Sequence, residues 1–331
     1  MTITPMLHKK MTKNMKAIVQ KGYGAADVFE LRDVPMPEPE DDEVRVKVHA
    51  AGLHAGDVFT MRGVPYLVRL FAGWPRPRTY IPGFDVAGRV DAVGKDITRF
   101  QPGDDVYGAG GGCCAEYVCI SEKTLLPKPA NLTFQQAAAV PTSGLTALVA
   151  LRDAGKVQPG QRVLINGASG GVGTFAVQIA KAFGAEVTGV CSTPKMDLVR
   201  SLGADHVIDY TRENFTRTGE RYDLILDHGA DHNLSDCWRA LTHQGKHLPN
   251  SGMGGLGFVL KAMAASLFVK RQGRPFVVKP NHEDMKALNA LVESGKAAPV
   301  IDRTYPLAET PEAFRYLDAG LARGKLAIIM D

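Results

Sequence analysis

The stretch Asn166-Gly167-Ala168-Ser169-Gly170-Gly171-Val172-Gly173 constrains this chain more than any other. It joins Val163-Leu164-Ile165, a short apolar run that reads as a buried strand, to a helix over 172–183. The helix carries Val172, Phe175, Ala176, Ile179, Ala180 and Phe183 on one face, and Gly184 follows as its stop. The spacing Ala168-x-Gly170-x-x-Gly173 puts small residues where a turn must be tight, where backbone must approach a bound group, and where helix must lie close to strand. Free N–H groups and the positive end of the helix then favour an anion. This is the A-x-G-x-x-G form of a dinucleotide-binding turn, in the strand–turn–helix context it requires.

The grammar on either side differs. From Met15 to Pro127 the segments are short, β-rich and broken by Gly and Pro; Glu43–His49 and Gly88–Gly94 alternate polar and apolar. From about Asn131 strands and helices alternate, as in a parallel sheet: Glu186–Cys191, a helix capped by Thr193 and opened by Pro194, then His206–Asp209, Leu224–Asp227 and Lys246–Leu248. Arg274–Lys279 reads as the last strand of that sheet. After Pro280 come a helix, a strand over Ala298–Tyr305, a helix opened by Thr310-Pro311, and a strand over Leu326–Met330. The expected class is α/β: a β-rich domain plus a doubly wound parallel sheet. Residues 1–14 read as a loose extension.

Composition removes other classes. With 331 residues, 45% hydrophobic and 22% charged, the chain has the makeup of a globular protein of about two domains. The net charge of +4 and scattered basic residues give no expectation of nucleic acid. No run approaches the roughly 18 apolar residues of a membrane span, and the N-terminus has no apolar core of a secretory signal, so no membrane partner is expected. Five cysteines, an odd number without a CxxC pair, fit a reducing compartment, and a cytoplasmic location is expected.

The end of the second strand selects the dinucleotide. An NAD site usually has an acid there for the ribose diol. Here Val190-Cys191-Ser192-Thr193-Pro194-Lys195 contains none before Asp197. An acid would repel a 2′-phosphate, whereas Ser192 and Lys195 can bind one, so NADPH is expected.

With these residues assembled, the chain resembles the zinc-independent, zeta-crystallin-like quinone oxidoreductases of the medium-chain dehydrogenase/reductase superfamily. The resemblance runs from Met15 to Asp331. It is carried by Ala51–Asp57, Pro82–Gly88, Pro102–Val106, Ser143–Ala147, the Gly170 turn and Leu202–Asp205. It implies a GroES-like catalytic domain from both chain ends (15–138 and 281–331) and a Rossmann NADPH-binding domain between them (139–280). It also implies Ser169, Gly170, Gly171 and Val172 at the pyrophosphate, and Ser192, Lys195 and Tyr210 around the 2′-phosphate. Thr142 or Thr146, with Ser251 and Gly252, would lie near the nicotinamide, and Lys325 near the cofactor. The family usually has Asn where this chain has His54. The related alcohol dehydrogenases hold zinc with Cys, His and Cys; here Leu53 and Phe84 stand at two of those positions and have no lone pair to give, so no metal is expected. Cys113, Cys114 and Cys119 read as small buried residues around a strand.

A hydride donor without a Lewis acid suits acceptors that are already electrophilic, namely quinones and α,β-unsaturated carbonyls. Tyr66, His54 and Thr142 are the candidate proton or hydrogen-bond donors. Val64–Pro82, with Tyr66, Phe71, Trp74, Arg76, Arg78 and Tyr80, reads as a substrate-entry loop. Two other readings stand beside this one: an enoyl-thioester or enone reductase on the same scaffold, and a non-catalytic NADPH-binding protein. The apolar edge at 274–279 leads to an expected homodimer.

Overall fold

The structure is a computed structural model that describes residues 13–64, 66, 69–70, 73–77, 81–250 and 255–330. Strand β1 (Asn14–Gln20) pairs antiparallel with β2 (Phe29–Pro35) as a two-stranded ribbon. The next strand, β3 (Glu43–Leu53), is the spine of a seven-stranded sheet. Its first half alternates, with Val44, Val46 and Val48 buried and Lys47 exposed; its second half, Ala50–Leu53, is buried on both faces. It pairs antiparallel with β4 (Asp85–Val93) and with β6 (Tyr117–Ser121). Outward from β4 lie β5 (Asp105–Ala109) and β7 (Leu125–Pro127). The chain end completes this sheet. Strand β14 (Lys325–Ile329) pairs antiparallel with β3, Leu326 opposite Leu53, and β13 (Ile301–Pro306) pairs parallel with β14. Val46, Val86, Val106, Ile120, Leu326 and Ile328 form one core.

The second sheet is parallel, in the order β10 (His206–Asp209), β9 (Glu186–Cys191), β8 (Arg162–Asn166), β11 (Tyr222–Asp227), β12 (Leu241–Pro249). The order reverses at β8, so a crevice opens beyond its carboxyl end, where such sheets bind ligands. Helices α3 (Pro141–Val149), α4 (Gly171–Ala182) and α8 (His282–Glu293) bring Leu145, Leu148, Phe175, Ile179 and Leu288 onto Val163, Ile165 and Leu226. The protein thus combines a GroES-like domain with a Rossmann-type domain.

Three sequence expectations need correction. Arg274–Lys279 forms no strand: it has no ladder partner among the described residues, and β12 is the edge apart from a bridge between His247 and Gln272. Thr193 does not cap the following helix, α5 (Met196–Ser201); it lies in a 3-10 turn, and its hydroxyl donates to Asp209 on β10. Cys113 and Cys114 are fully buried, but Cys119 is only half-buried. The structure also contains a helix that the strand-by-strand reading passed over, α7 (Gly255–Phe268). Among the described residues, no helix is long and apolar enough to cross a membrane. Residues 1–12 lie outside the described residues.

Candidate functional site

The glycine turn forms as its residue types require. Gly167 takes φ +85°, and a Cβ at Gly173 would stand 2.1 Å from the Gly167 carbonyl oxygen, so only glycine lets α4 come this close to the turn. Gly170 is the N-cap of α4, and no side chain caps that helix end. Its first-turn N–H groups remain available, which fits the anionic pyrophosphate of a dinucleotide. Ser169 is buried, and its carbonyl accepts from the Gly324 N–H at 2.8 Å; Gly170 and Gly324 form a parallel bridge. The strap entering β14 is therefore stitched to the phosphate turn.

That strap delivers Lys325. Its side chain passes the helix end, with Cδ 3.1 Å from where a Cβ on Gly171 would be, and it is 1% exposed. The ammonium donates to Ser143 Oγ at 3.1 Å and lies 3.4 Å from Asp85 Oδ2. The other oxygen of Asp85 accepts the Thr142 N–H at 3.1 Å and the Thr142 hydroxyl. Asp85 comes from β4 and Lys325 from β14, while Thr142 and Ser143 open α3 of the other lobe. A buried ion pair between two strands of the seven-stranded sheet thus takes its further hydrogen bonds from Thr142 and Ser143 at the start of α3. Asp85 and Ser143 stand in the sequence motifs Pro82–Gly88 and Ser143–Ala147 with no role assigned there; their only signal is a polar residue inside an apolar stretch. Thr146 donates to the Thr142 carbonyl.

On the β-rich side, His54 is the N-cap of α1 (Ala55–Arg62). Its Nδ1 accepts from the Gly56 N–H at 3.0 Å, and Asp57 accepts from the His54 N–H at 2.8 Å, a reciprocal capping box. With Nδ1 occupied as an acceptor, the neutral ring carries its proton on Nε2, and that atom is buried with no partner among the described residues. The ring stacks on Phe84 at 5.6 Å between centroids. Burial pushes the Asp57 carboxyl up. Tyr66 is 68% exposed, and the Arg69 guanidinium lies over its ring at 4.8 Å and over Tyr23 at 4.5 Å. Trp74 and Leu70 in the same segment are similarly exposed. Phe71, Arg78 and Tyr80 lie outside the described residues, as do Ser251 and Gly252.

At the far end of the crevice, Ser192 follows β9, and Tyr210 is exposed just past β10. Lys195 does not point freely at solvent. It donates to the carbonyls of Ala322 at 2.9 Å and Gly320 at 3.3 Å. Burial, then the Arg323 cation, holds its ammonium below the usual lysine range. Arg323, whose charge reaches Lys195, was missed because it is more than 120 residues away in sequence.

One further cluster supports the crevice floor. Asp227, at the end of β11, accepts from Asn166 and from the N–H groups of Gly229 and Ala230, and faces His247 Nε2 at 3.2 Å. Burial alone would raise its carboxyl, but the His247 contact and these donors hold it below the usual range. Asp227, Cys237 and His247 are buried, with ligand atoms within 4.8 Å of one another. Burial raises the Cys237 thiol and so disfavours the thiolate a metal would require. Hydrogen bonds already occupy Asp227 and His247, and His247 Nδ1 faces Gln272. The cluster is a brace for the 228–231 loop.

Comparison with known proteins agrees with this geometry. Residues 40–130 match the alcohol dehydrogenase GroES-like domain, and residues 202–328 match the zinc-binding dehydrogenase family. The chain is 35% identical over 335 residues to the chloroplastic NADPH-dependent alkenal/one oxidoreductase of Arabidopsis thaliana, covering 96% of this chain and 80% of the relative. It is 34% identical over 330 residues to the chloroplastic quinone-oxidoreductase QR1 of Triphysaria versicolor, covering 96% and 98%. The solved quinone oxidoreductase of Coxiella burnetii superposes with a TM-score of 0.86 at 31% identity, over 96% of this chain and all of that one. The chain therefore belongs to the medium-chain dehydrogenase/reductase superfamily, among relatives named as quinone and alkenal/one oxidoreductases.

Proposed function

We propose that this protein is an NADPH-dependent reductase that delivers hydride to quinones and α,β-unsaturated carbonyl compounds. The observation that carries the reading is the uncapped N-terminus of α4, roofed by the Lys325–Asp85–Ser143 cluster at the junction of the two domains. NADPH, when bound, supplies the hydride. Ser169, Gly170, Gly171 and Val172 would hold the pyrophosphate through backbone N–H groups. Ser192, Lys195, Tyr210 and Arg323 would hold the 2′-phosphate; Lys195 can turn from two neutral carbonyls to a charged partner. Lys325 would screen the phosphate charge while Asp85 and Ser143 fix its position. Ser251 and Gly252 keep their place in the reading as the nicotinamide-side loop.

His54 is the strongest candidate for the group that meets the acceptor oxygen, because its Nε2–H, buried and without a partner among the described residues, is a donor that is costly to leave unused. Thr142 directs its hydroxyl to Asp85 and would act as a positioning residue. Tyr66, with Trp74 and Phe84, would form the apolar wall and entry of the acceptor site. Reduction without zinc follows from Leu53 and Phe84, which cannot ligate.

The domain limits 15–138 with 281–331, against 139–280, are part of the same reading, supported by sheet membership. So are a homodimer joined along 274–279, where Val277 is 91% exposed, and a cytoplasmic site, for which the five free thiols speak. Loss of NADPH absorbance with 9,10-phenanthrenequinone, 1-octen-3-one and crotonyl-CoA as acceptors tests the function. Turnover with the first two is expected. Turnover with crotonyl-CoA alone would move the assignment to thioester reduction, and tight NADPH binding without turnover would end the enzymatic reading.

A further inference from the structure

Helix α7 shows its apolar side to the outside. Leu256, Leu260, Met263 and Leu267 recur at spacings of four, three and four residues and fall on one helical face. They are 39%, 55%, 52% and 65% exposed, and Phe268 beside them is 86% exposed. The one buried residue of the helix, Ala262, lies on the opposite side. A folded chain seldom leaves such a stripe in water unless something covers it.

The charge around the stripe names the cover. From residue 237 to residue 282 the sequence contains no Asp or Glu and seven Lys or Arg. Lys261 lies within the helix, and Lys270 and Arg271 follow it directly, before the 274–279 edge proposed to join two copies. Lys261 and Lys270 are exposed, and none of the three forms an ion pair among the described residues. Elsewhere on this surface cations are commonly paired, as in Lys21–Glu30, Lys95–Asp41 and Lys181–Asp205. A second copy docking stripe to stripe about a two-fold would bring two sets of unpaired cations together with no acid to offset them. A surface that is apolar within and anionic at its rim matches both features.

We propose that α7 and the cations that follow it form a peripheral docking surface for an anionic lipid bilayer. The helix would lie in the interface with Leu256, Leu260, Met263, Leu267 and Phe268 among the acyl chains and the basic side chains at the phosphates. Nothing spans the bilayer in this arrangement. The proposal does not depend on which acceptor the enzyme reduces.

Flotation of the full chain with vesicles tests it, using phosphatidylcholine alone and phosphatidylcholine with about one-third phosphatidylglycerol. The protein is expected to float with the anionic vesicles, to stay with the buffer when the vesicles are neutral, and to release as salt is raised. Lys270→Gln with Arg271→Gln should weaken binding about twenty-five-fold, at about fivefold per charge. Leu260→Ser with Leu267→Ser should weaken it about tenfold or more. Circular dichroism of both variants should match the parent. Failure of the parent to float with anionic vesicles overturns the proposal, as does flotation that neither pair of substitutions alters. If Leu260→Ser with Leu267→Ser instead lowers the mass by light scattering, and the parent does not float, the stripe is a contact between copies of this chain and the lipid assignment is wrong.

Discussion

Replacing Asp85 by Asn isolates what the buried Asp85–Lys325 ion pair contributes. The substitution keeps an oxygen for the Thr142 N–H and hydroxyl, but it turns an amide N–H₂ towards the Lys325 ammonium, which is 1% exposed and, among the described residues, retains only Ser143 as an acceptor. Breaking a buried pair from one side costs about 3–5 kcal/mol, because the surviving charge has no counterion. For a domain of this size, about 2–4 °C of melting temperature accompanies each kcal/mol, so Asp85→Asn should melt roughly 6–20 °C lower. Lys325→Met removes the cation and should cost less, since the carboxylate keeps both Thr142 donors. Together the two changes leave no unpaired cation, and the double variant should be more stable than Asp85→Asn alone. A double-mutant cycle followed by differential scanning fluorimetry, with and without NADPH, reads the coupling. A coupling of about 2 kcal/mol or more is expected. KM for NADPH should rise in both single variants, because Lys325 runs past the end of α4. Additive melting shifts, or an Asp85→Asn protein that melts with the parent, would refute the claim that Asp85 and Lys325 form a coupled buried pair beside the start of α3.

Three other substitutions separate parts of the site. Lys195→Ala and Arg323→Ala should each raise KM for NADPH about tenfold or more, the scale of one charge-assisted hydrogen bond, and leave KM for NADH nearly unchanged; equal effects on both coenzymes would remove these residues from the 2′-phosphate site. His54→Asn keeps a good N-cap acceptor for α1 but loses the ring, so steady-state assays with a quinone should show kcat lower by about tenfold to a hundredfold at an unchanged melting temperature. Asp57→Asn reports on pH. Burial raises the folded-state Asp57 value above its ordinary value near 4, so the stability from its neutral form is full below about pH 4 and lost as pH rises through the raised value. The Asn variant lacks that loss, and its urea midpoint should gain on the parent as pH rises from about 4 towards neutrality; a pH-independent difference would contradict the assignment.

Much of the molecule could be read along the chain. The Gly167–Gly173 turn, β9 and β10 were legible because turn sterics and buried strands act over a few residues. The edge at 274–279 was misread because its apolar run demands a partner that a single chain does not supply. Thr193 was misassigned because the acceptor that captured its hydroxyl, Asp209, belongs to a neighbouring strand.

The sequence by itself determined a dinucleotide turn, a class of fold and the absence of an acid at the end of β9, since each follows from local sterics or from the identity of one side chain. Only the tertiary structure brought Lys325 onto Asp85 and Ser143, put Arg323 within electrostatic reach of Lys195, and left His54 Nε2 without a partner among the described residues. Those groups are far apart in the chain, and buried charges and orphaned donors acquire their energies from what packs around them.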